Sequence, residues 1–322
     1  MKYTAEAKEL KFDGRWCIRE GQAVTAVPGS RFEVTARGDC VVFEFDMGGN
    51  EMPFPHVWIG VDDVKVEAEL TARMRVELPE DGAPHRVRVI LKNCQERLPR
   101  WKQPLCGKVT LRAVYARELL PQEPDLRPRI LFVGDSITEG IMTGEDIPEA
   151  DTGECMTSDA DATYAAHLVR MLQVRGSYMG YGGGGVTLEA IGGVPFAADA
   201  YPYVFEGEPA TEVPDLVSIN LGTNDWGASR ETFVMQYRRL LEVIRQTHPQ
   251  AKILCIVPFI GCRKEEIHEV AAAFSAEHGT PVTVVDTDGW LPREPLHPLR
   301  AGHRTAAEKL LPYFQKLLQE ES

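Results

Sequence analysis

Residues 130–140 have the sequence Ile-Leu-Phe-Val-Gly-Asp-Ser-Ile-Thr-Glu-Gly, and they set the character of the second half of the chain. An apolar run of strand length ends at a glycine and passes directly into a polar turn. At the carboxyl end of a central strand, Ser136 is well placed as a nucleophile, with its own backbone N–H free to face an oxyanion. The same residues also fit a capping box, in which Ser136 caps a helix and Glu139 completes the cap. Taken alone, the motif fits both interpretations.

The rest of the second half alternates between segments of strand character and segments of helical periodicity. This alternation predicts a parallel sheet covered by helices on both faces, which is an α/β architecture. In such sheets ligands bind at the carboxyl ends of the strands. The predicted strands are residues 130–133, 215–220, 252–257 and 282–286, and the predicted helices are residues 163–174, 231–247, 264–278 and 302–318.

Residues 1–120 have a different pattern, in which apolar and polar residues alternate over many short segments. Residues 31–36 and 85–91 show the period of two that is typical of half-buried strands. We therefore predict an N-terminal β-sandwich domain of the jelly-roll kind over residues 1–120. Three prolines within residues 121–128 predict a linker, because proline fits neither a helix interior nor a central strand. The second domain is then predicted to span residues 129–322.

Composition excludes several classes of function. The 322 residues carry a formal net charge of −13, from 35 Lys and Arg against 48 Asp and Glu. This balance argues against binding to nucleic acid or to an anionic membrane, since both need a basic face. The seven cysteines are odd in number and do not cluster with histidines at ligand spacing, so no metal site is predicted. The polar N-terminus lacks the apolar core of an export signal, which favours a cytoplasmic protein.

Two further loops carry groups that suit the stabilisation of an oxyanion. In residues 221–225, Leu-Gly-Thr-Asn-Asp, the amide of Asn224 supplies two uncharged N–H donors, although such residues also favour turns and helix caps. Residues 180–187, Gly-Tyr-Gly-Gly-Gly-Gly-Val-Thr, allow the backbone to approach a ligand closely. No Lys-Ser/Thr follows, and no clear helix with an acidic ribose partner follows. Neither a nucleotide nor a dinucleotide site is therefore predicted.

His297 is the fourth candidate group, and it lies in a proline-rich loop before the last predicted helix. Imidazole titrates near neutral pH and can act as a general base. Glu294 lies three residues earlier, where a triad acid would orient the imidazole. The alternative is an ordinary surface histidine. His303, at the start of the helix, is expected to have a structural role.

The four loops, taken in order, resemble the four sequence blocks of the SGNH, or GDSL, hydrolases. This resemblance implies a flavodoxin-like α/β/α catalytic domain that needs no metal ion and no organic cofactor. It implies that Ser136 is the nucleophile and His297 the base. The matching segments are Gly134-Asp-Ser136, Gly185, Gly222-Thr-Asn224-Asp225 and His297.

The same resemblance implies an oxyanion hole made of N–H groups from Ser136, Gly185 and Asn224. Gly185 is chosen by its Gly-Val-Thr ending, and Gly183 and Gly184 remain alternatives.

The order of an N-terminal β domain, a proline-rich linker and a GDSIT motif resembles the two-domain esterases of carbohydrate esterase family 2. That resemblance implies a serine esterase that removes O-acetyl groups from acetylated plant oligosaccharides or polysaccharides of the xylan or mannan type, through an acyl-enzyme. Glu294 departs from the pattern, because most SGNH hydrolases have Asp at this position. Three other groups are alternatives for orienting His297: a backbone carbonyl, as in some family 2 members, Asp286 and Asp288.

Several residues near the blocks are predicted to contact the sugar: Asp135, Tyr181, Trp226 and Trp290. For the aromatic residues the alternative is core packing. The acidic insertion at residues 141–161 is expected to shape the leaving-group side of the site.

Three other functions remain open at this stage. A lipase or lysophospholipase would use the same chemistry on lipid acyl esters. A carbohydrate-binding protein would rely on its β domain and carry a vestigial hydrolase half. A purely structural protein would use all four loops only as turns and caps.

Overall fold

The structure, a computed structural model, describes residues 1–143 and 157–320. The central part of the predicted acidic insertion, residues 144–156, lies outside the described residues. Two sheets organise the described chain, one antiparallel and one parallel. None of the described helices is both long enough and apolar enough to cross a bilayer.

The N-terminal part forms a ten-stranded antiparallel sheet. Its centre is the fifteen-residue strand β5, which pairs with β9 along its first half and with β8 along its second half. Alternation within β5 buries Phe32, Val34 and Ala36, as the period of two predicts. The strands are β1 (Lys2–Tyr3), β2 (Lys11–Asp13), β3 (Cys17–Arg19), β4 (Gln22–Thr25), β5 (Arg31–Phe45), β6 (His56–Val61), β7 (Val64–Glu69), β8 (Arg73–Glu77), β9 (His85–Asn93) and β10 (Val109–Leu120).

The C-terminal part is a five-stranded parallel sheet with helices packed against it. Its order, β12-β11-β15-β16-β17, is the flavodoxin-like order, so the predicted fold class is confirmed. The strands are β11 (Arg129–Gly134), β12 (Arg175–Gly180), β13 (Tyr203–Phe205), β14 (Glu208–Pro209), β15 (Leu216–Asn220), β16 (Lys252–Ile256) and β17 (Val282–Val285), with β13 and β14 forming a separate hairpin. The helices are α1 (Ser136–Glu139), α2 (Tyr164–Leu172), α3 (Ala197–Ala200), α4 (Arg230–Thr247), α5 (Lys264–His278) and α6 (Arg300–Gln319).

Side-chain caps explain where helices α2 and α4 begin. Thr163 caps α2 by accepting the N–H of Ala166, and Ser229 caps α4 by accepting the N–H of Thr232.

Strand β12 was not predicted, because its sequence Arg-Gly-Ser-Tyr-Met-Gly has little strand character. A Cβ at Gly176 would lie 2.7 Å from a methyl of Val169, so close packing of α2 requires glycine in this strand.

The segment between β9 and β10 connects the two parts of the molecule. Trp101 and Leu105 of this segment are buried in the hydrophobic core of the parallel-sheet part. A second connection is made by Arg15, which is fully buried and donates from Nε to Glu212 at 2.7 Å. The antiparallel part is therefore packed into the parallel-sheet part through buried apolar and charged groups.

Candidate active site

Three neighbouring strands place three of the predicted loops side by side. Strand β11 lies between β12 and β15, and Gly134 at its end is in register with Gly180 and Asn220. The loops that follow these strands contain Ser136, the glycine run and Asn224 in turn. The predicted site thus lies along one carboxyl edge of the sheet, as the parallel topology requires.

Ser136 is the first residue of α1 rather than its cap. Asp135 is the N-cap, and its side chain accepts the N–H of Ile137 at 2.9 Å. The capping box with Ser136 as cap is therefore wrong. At the first position of a helix the backbone N–H has no acceptor within the helix, so the N–H of Ser136 is left available.

His297 reaches Ser136 from the loop before α6. Its Nε2 lies 2.9 Å from Oγ of Ser136, which is a hydrogen bond from the hydroxyl to a neutral imidazole. Burial lowers the pKa of His297 below its ordinary value. The neutral, proton-accepting form is therefore favoured near neutral pH.

The structure does not place Glu294 against this histidine, so it does not support the prediction of a triad acid there. Its side chain is exposed, and the described part of the chain shows no hydrogen bond or ion pair between Glu294 and His297. The alternatives are also engaged elsewhere. Asp286 pairs with Lys264 and with His268, and Asp288 pairs with the same lysine. Within residues 1–143 and 157–320, the geometry is that of a Ser-His dyad.

The amide of Asn224 faces the glycine run. Its Nδ2 donates to the carbonyl of Gly184 at 2.8 Å, and this bond uses one of its two N–H groups. Among the described residues the second N–H of this half-buried amide has no acceptor. Asn224 therefore stays the predicted oxyanion donor on the strand loop next to that of Ser136.

The glycine run changes the choice of backbone donor. The N–H of Gly185, the predicted donor, is already used within the loop, so the structure does not support that choice. Among the described residues, Gly183 is the one glycine of the run whose N–H has no acceptor, and it is also the most exposed of the four. The other three donate as follows: Gly182 to Oε2 of Glu139 at 2.6 Å, Gly184 to the carbonyl of Tyr181 at 3.1 Å, and Gly185 to the carbonyl of Leu188 at 3.2 Å.

Asp225 holds the end of the glycine run in place, a role that sequence analysis missed. Its buried carboxylate accepts the N–H of Val186 at 3.3 Å and both the N–H and the hydroxyl of Thr187, at 2.7 and 2.5 Å. A Cβ at Gly185 would lie 2.6 Å from this carboxylate. Gly185 is therefore required for packing against Asp225. The signal in the sequence that could have indicated this role is that Asp225 directly follows Asn224 in the motif.

A buried ion pair from the antiparallel part supports the same loop. Arg100, in the segment between β9 and β10, pairs with Oε1 of Glu139, whose other oxygen accepts Gly182. The backbone N–H of Arg100 also donates to the carbonyl of Gly192 at 3.1 Å. Close by, burial and the charge of Glu139 raise the pKa of Glu96 to about 7. These contacts join residues far apart in sequence, which left no motif to detect.

Of the four predicted sugar-contacting residues, one is fully accessible. Trp226 is 85% exposed and lines an open cleft together with Asn224. Asp135 is fully buried as the cap of α1, and Tyr181 is buried with the guanidinium of Arg100 over its ring, so neither can contact a sugar in this structure. Trp290 is half-buried and packs against the core, as its alternative interpretation predicted.

A serine and a histidine in hydrogen-bond contact, beside an amide and a glycine loop on a flavodoxin-like sheet, define the class of SGNH-type serine hydrolases. The chain belongs to the GDSL-like Lipase/Acylhydrolase family, whose model matches residues 132–305. The predicted family and the class of ester hydrolase are thereby confirmed.

Similar proteins cover the chain to different extents. The "Cellulase/esterase CelE" of Acetivibrio thermocellus is 32% identical over 155 residues, which are 44% of this chain and 18% of that protein. The chain thus spans less than a fifth of CelE. The "Acetylxylan esterase / glucomannan deacetylase" of Cellvibrio japonicus is 22% identical, covering 98% of this chain and 90% of that protein.

A solved family two carbohydrate esterase from Clostridium thermocellum, in complex with cellohexaose, has the same fold. Its TM-score is 0.79 at 24% identity, and the match covers 96% of this chain and 99% of that one. The two-part architecture is therefore shared over almost the whole length.

Proposed function

We propose that this protein is a serine esterase that removes O-acetyl groups from acetylated oligosaccharides or polysaccharides of the xylan or mannan type. The observation that carries the proposal is the 2.9 Å contact between Nε2 of His297 and Oγ of Ser136, with the Asn224 amide on the neighbouring strand loop. The Cellvibrio japonicus relative, an acetylxylan esterase and glucomannan deacetylase, supports the choice of substrate.

In the first step Ser136 attacks the acetyl carbonyl while His297 accepts its proton at Nε2. The carbonyl oxygen becomes an oxyanion as the new C–O bond forms. Three N–H donors stabilise it: the backbone of Ser136, the second amide N–H of Asn224 and the backbone of Gly183. Because these donors are fixed by the fold before substrate binds, little reorganisation accompanies the development of charge.

When the tetrahedral intermediate collapses, His297 acts as a general acid. It delivers its proton to the leaving sugar oxygen as the C–O bond to the sugar breaks, which leaves an acetyl ester on Ser136. Water then attacks this ester while His297 takes one of its protons; the bond between the acyl carbon and Oγ of Ser136 breaks, His297 returns the proton to Oγ, and acetate is released. The lowered pKa of His297 suits both roles, since the imidazolium readily returns its proton.

Trp226 provides a surface for the sugar. Its indole is exposed beside Asn224, in a cleft of about 380 Å³ that also contains Thr187 and Leu188. An aromatic ring exposed to this degree beside an oxyanion donor has no packing role to explain its position. A structural neighbour, the family two carbohydrate esterase from Clostridium thermocellum, was solved in complex with cellohexaose, which supports a saccharide as the ligand.

The proposal is tested by measuring acetate released from acetylated xylo- and manno-oligosaccharides, with long-chain acyl esters in parallel. We expect acetate release from at least one of the two oligosaccharides and little hydrolysis of the long-chain esters. Trp226→Ala should raise KM for the oligosaccharide and leave hydrolysis of a small acetate ester unchanged. Hydrolysis of long acyl esters with no acetate release from any sugar would overturn the proposal in favour of a lipase.

A further inference from the structure

A second cleft, of about 440 Å³, lies between the antiparallel sheet and helix α2. One wall is the outer face of the sheet, with Trp58 on β6 and Arg88 on β9. The opposite wall includes Arg170 on α2 and Arg300 at the start of α6. The catalytic mechanism uses none of these residues.

Arginines dominate the sheet wall of this cleft. Arg86 and Arg88 alternate along β9 and therefore point to the same face, and Arg31 lies on the neighbouring strand β5. A further depression next to the cleft shares Arg31, Arg88 and Arg170. Five guanidinium groups thus line one cleft in a chain whose net charge is −13.

Most carboxylates in the cleft are already paired. Asp63 is the exception among the described residues that line it, and its side chain is exposed on the turn between β6 and β7. The others are engaged as follows: Asp62 with Nδ1 of His85 at 2.8 Å, Asp159 with the indole N–H of Trp58 at 3.0 Å, and Asp161 with Lys65 and Arg170 at 2.5 and 3.0 Å.

Positive charge on the sheet wall is left without full compensation. In the described part of the chain the guanidinium of Arg86 has no hydrogen bond and no ion pair, and the ion pair of Arg31 with Asp13 is long, at 4.0 Å. Burial and the neighbouring charge of Arg31 lower the pKa of Arg88, although it also pairs with Glu33. Adjacent guanidiniums of this kind favour an anion that can accept from several N–H groups at once.

We propose that this cleft binds an oxyanion group, a carboxylate or a phosphate, carried on a saccharide. Arg31, Arg86 and Arg88 supply the N–H donors on the sheet side. The cleft adjoins the catalytic elements, because the N–H of Asp159 donates to the carbonyl of Gly140 at the end of α1. Binding of an anion is inferred from the arginines alone, whereas the saccharide that carries the anion rests on the proposed function.

The test is a binding measurement that requires no turnover. Ser136→Ala protein is titrated calorimetrically with methyl glucuronide, glucose 6-phosphate, methyl glucoside and inorganic sulfate. We expect one or both charged sugars to bind, and the affinity to fall with added salt. The neutral glucoside should not bind in this cleft. Comparing the two charged sugars identifies which oxyanion the cleft prefers.

Variants then assign the binding to the cleft. Arg31→Gln and Arg86→Gln should each weaken binding of the charged sugar about tenfold, because each removes charge-assisted hydrogen bonds. Arg112→Gln is the matched control, since Arg112 is an exposed arginine of β10 that pairs with Asp46 and does not line the cleft. Unfolding temperatures of all three variants establish that each is folded.

Three results would overturn the inference. The first is no binding of either charged sugar, and the second is binding by the Arg31 and Arg86 variants as tight as that by the protein with both arginines. The third is binding of sulfate as tight as that of the sugars. The last result would reduce the cleft to a site for simple ions. Failure of the proposed function would be seen separately, as an absence of acetate release. Such a failure would leave the anion measurement informative.

Discussion

Arg100 of the antiparallel part forms a buried ion pair with Glu139, the last residue of the helix that begins with Ser136. The same carboxylate accepts the N–H of Gly182 at 2.6 Å, so one side chain joins the nucleophile helix to the glycine loop. Arg15 and Glu212 form a second buried ion pair between the two parts of the molecule. Among the described residues, Arg15 and Glu212 form no hydrogen bond with the glycines at 182–185. Variants of the two pairs therefore separate an effect on the position of the glycine loop from an effect on stability.

Glu139→Gln and Glu212→Gln form a matched pair of variants. Each leaves a buried guanidinium facing a neutral amide, and we expect each to lower the free energy of unfolding by about 3–5 kcal/mol, because an uncompensated charge stays buried. Only Glu139→Gln should lower kcat, by roughly tenfold or more, because it also loosens the loop that presents the backbone donor. The measurements are thermal unfolding and kcat on an acetate ester. Equal kcat in the two variants would show that Glu139 acts through stability alone.

Asn224→Ala tests the oxyanion hole. Loss of one such donor typically costs about 10²–10³ in kcat, with KM little changed, because the donor acts mainly in the transition state. Steady-state kinetics on a small acetate ester give both parameters. A large rise in KM at constant kcat would instead assign Asn224 to ground-state binding.

Glu294→Ala should retain activity within about twofold of the unchanged protein, because exposed side chains away from contacts rarely matter. Its carboxylate is exposed and does not contact His297 in the described structure. The comparison of kcat/KM for the variant and the unchanged protein decides this point. A loss of several hundredfold would restore Glu294 as the residue that orients the base.

The dependence of kcat/KM on pH should follow the protonation of His297. Burial lowers the pKa of His297, so protonation inactivates the base only at a pH below the ordinary histidine value of about 6.5. Activity should therefore rise with pH, and the acid limb of kcat/KM should have its midpoint below 6.5. A midpoint above 6.5 would contradict the lowering of the His297 pKa by burial.

The architecture followed from local patterns in the sequence. Helix α5, Lys264–His278, has the predicted bounds, and the four predicted strands differ from the observed ones by at most one residue at each end. These elements were predictable because their periodicity is strong and each is bounded by turns or caps. Strand β12 was missed because glycine and serine replace the β-branched residues that usually mark a strand.

The site was partly predictable for a related reason. Ser136 and Asn224 lie in short motifs just past strand ends, where the parallel topology brings the loops together, and His297 lies in the loop before α6. Glu294 was chosen by its spacing, but a spacing of three residues does not fix the direction of a side chain in a loop. Arg100 has its partner 39 positions along the chain, and such a contact exists only after the two sheets have packed.

The most direct test of a serine esterase is the rate of acetate release by Ser136→Ala compared with that of the unchanged protein. Ser275→Ala serves as control, because the Ser275 hydroxyl, on α5, donates to the carbonyl of Ala271 and accepts the N–H of Val282 on β17, away from Ser136. We predict that Ser136→Ala abolishes acetate release and remains folded, while Ser275→Ala retains the activity. Acetate release by Ser136→Ala at an undiminished rate would contradict the account.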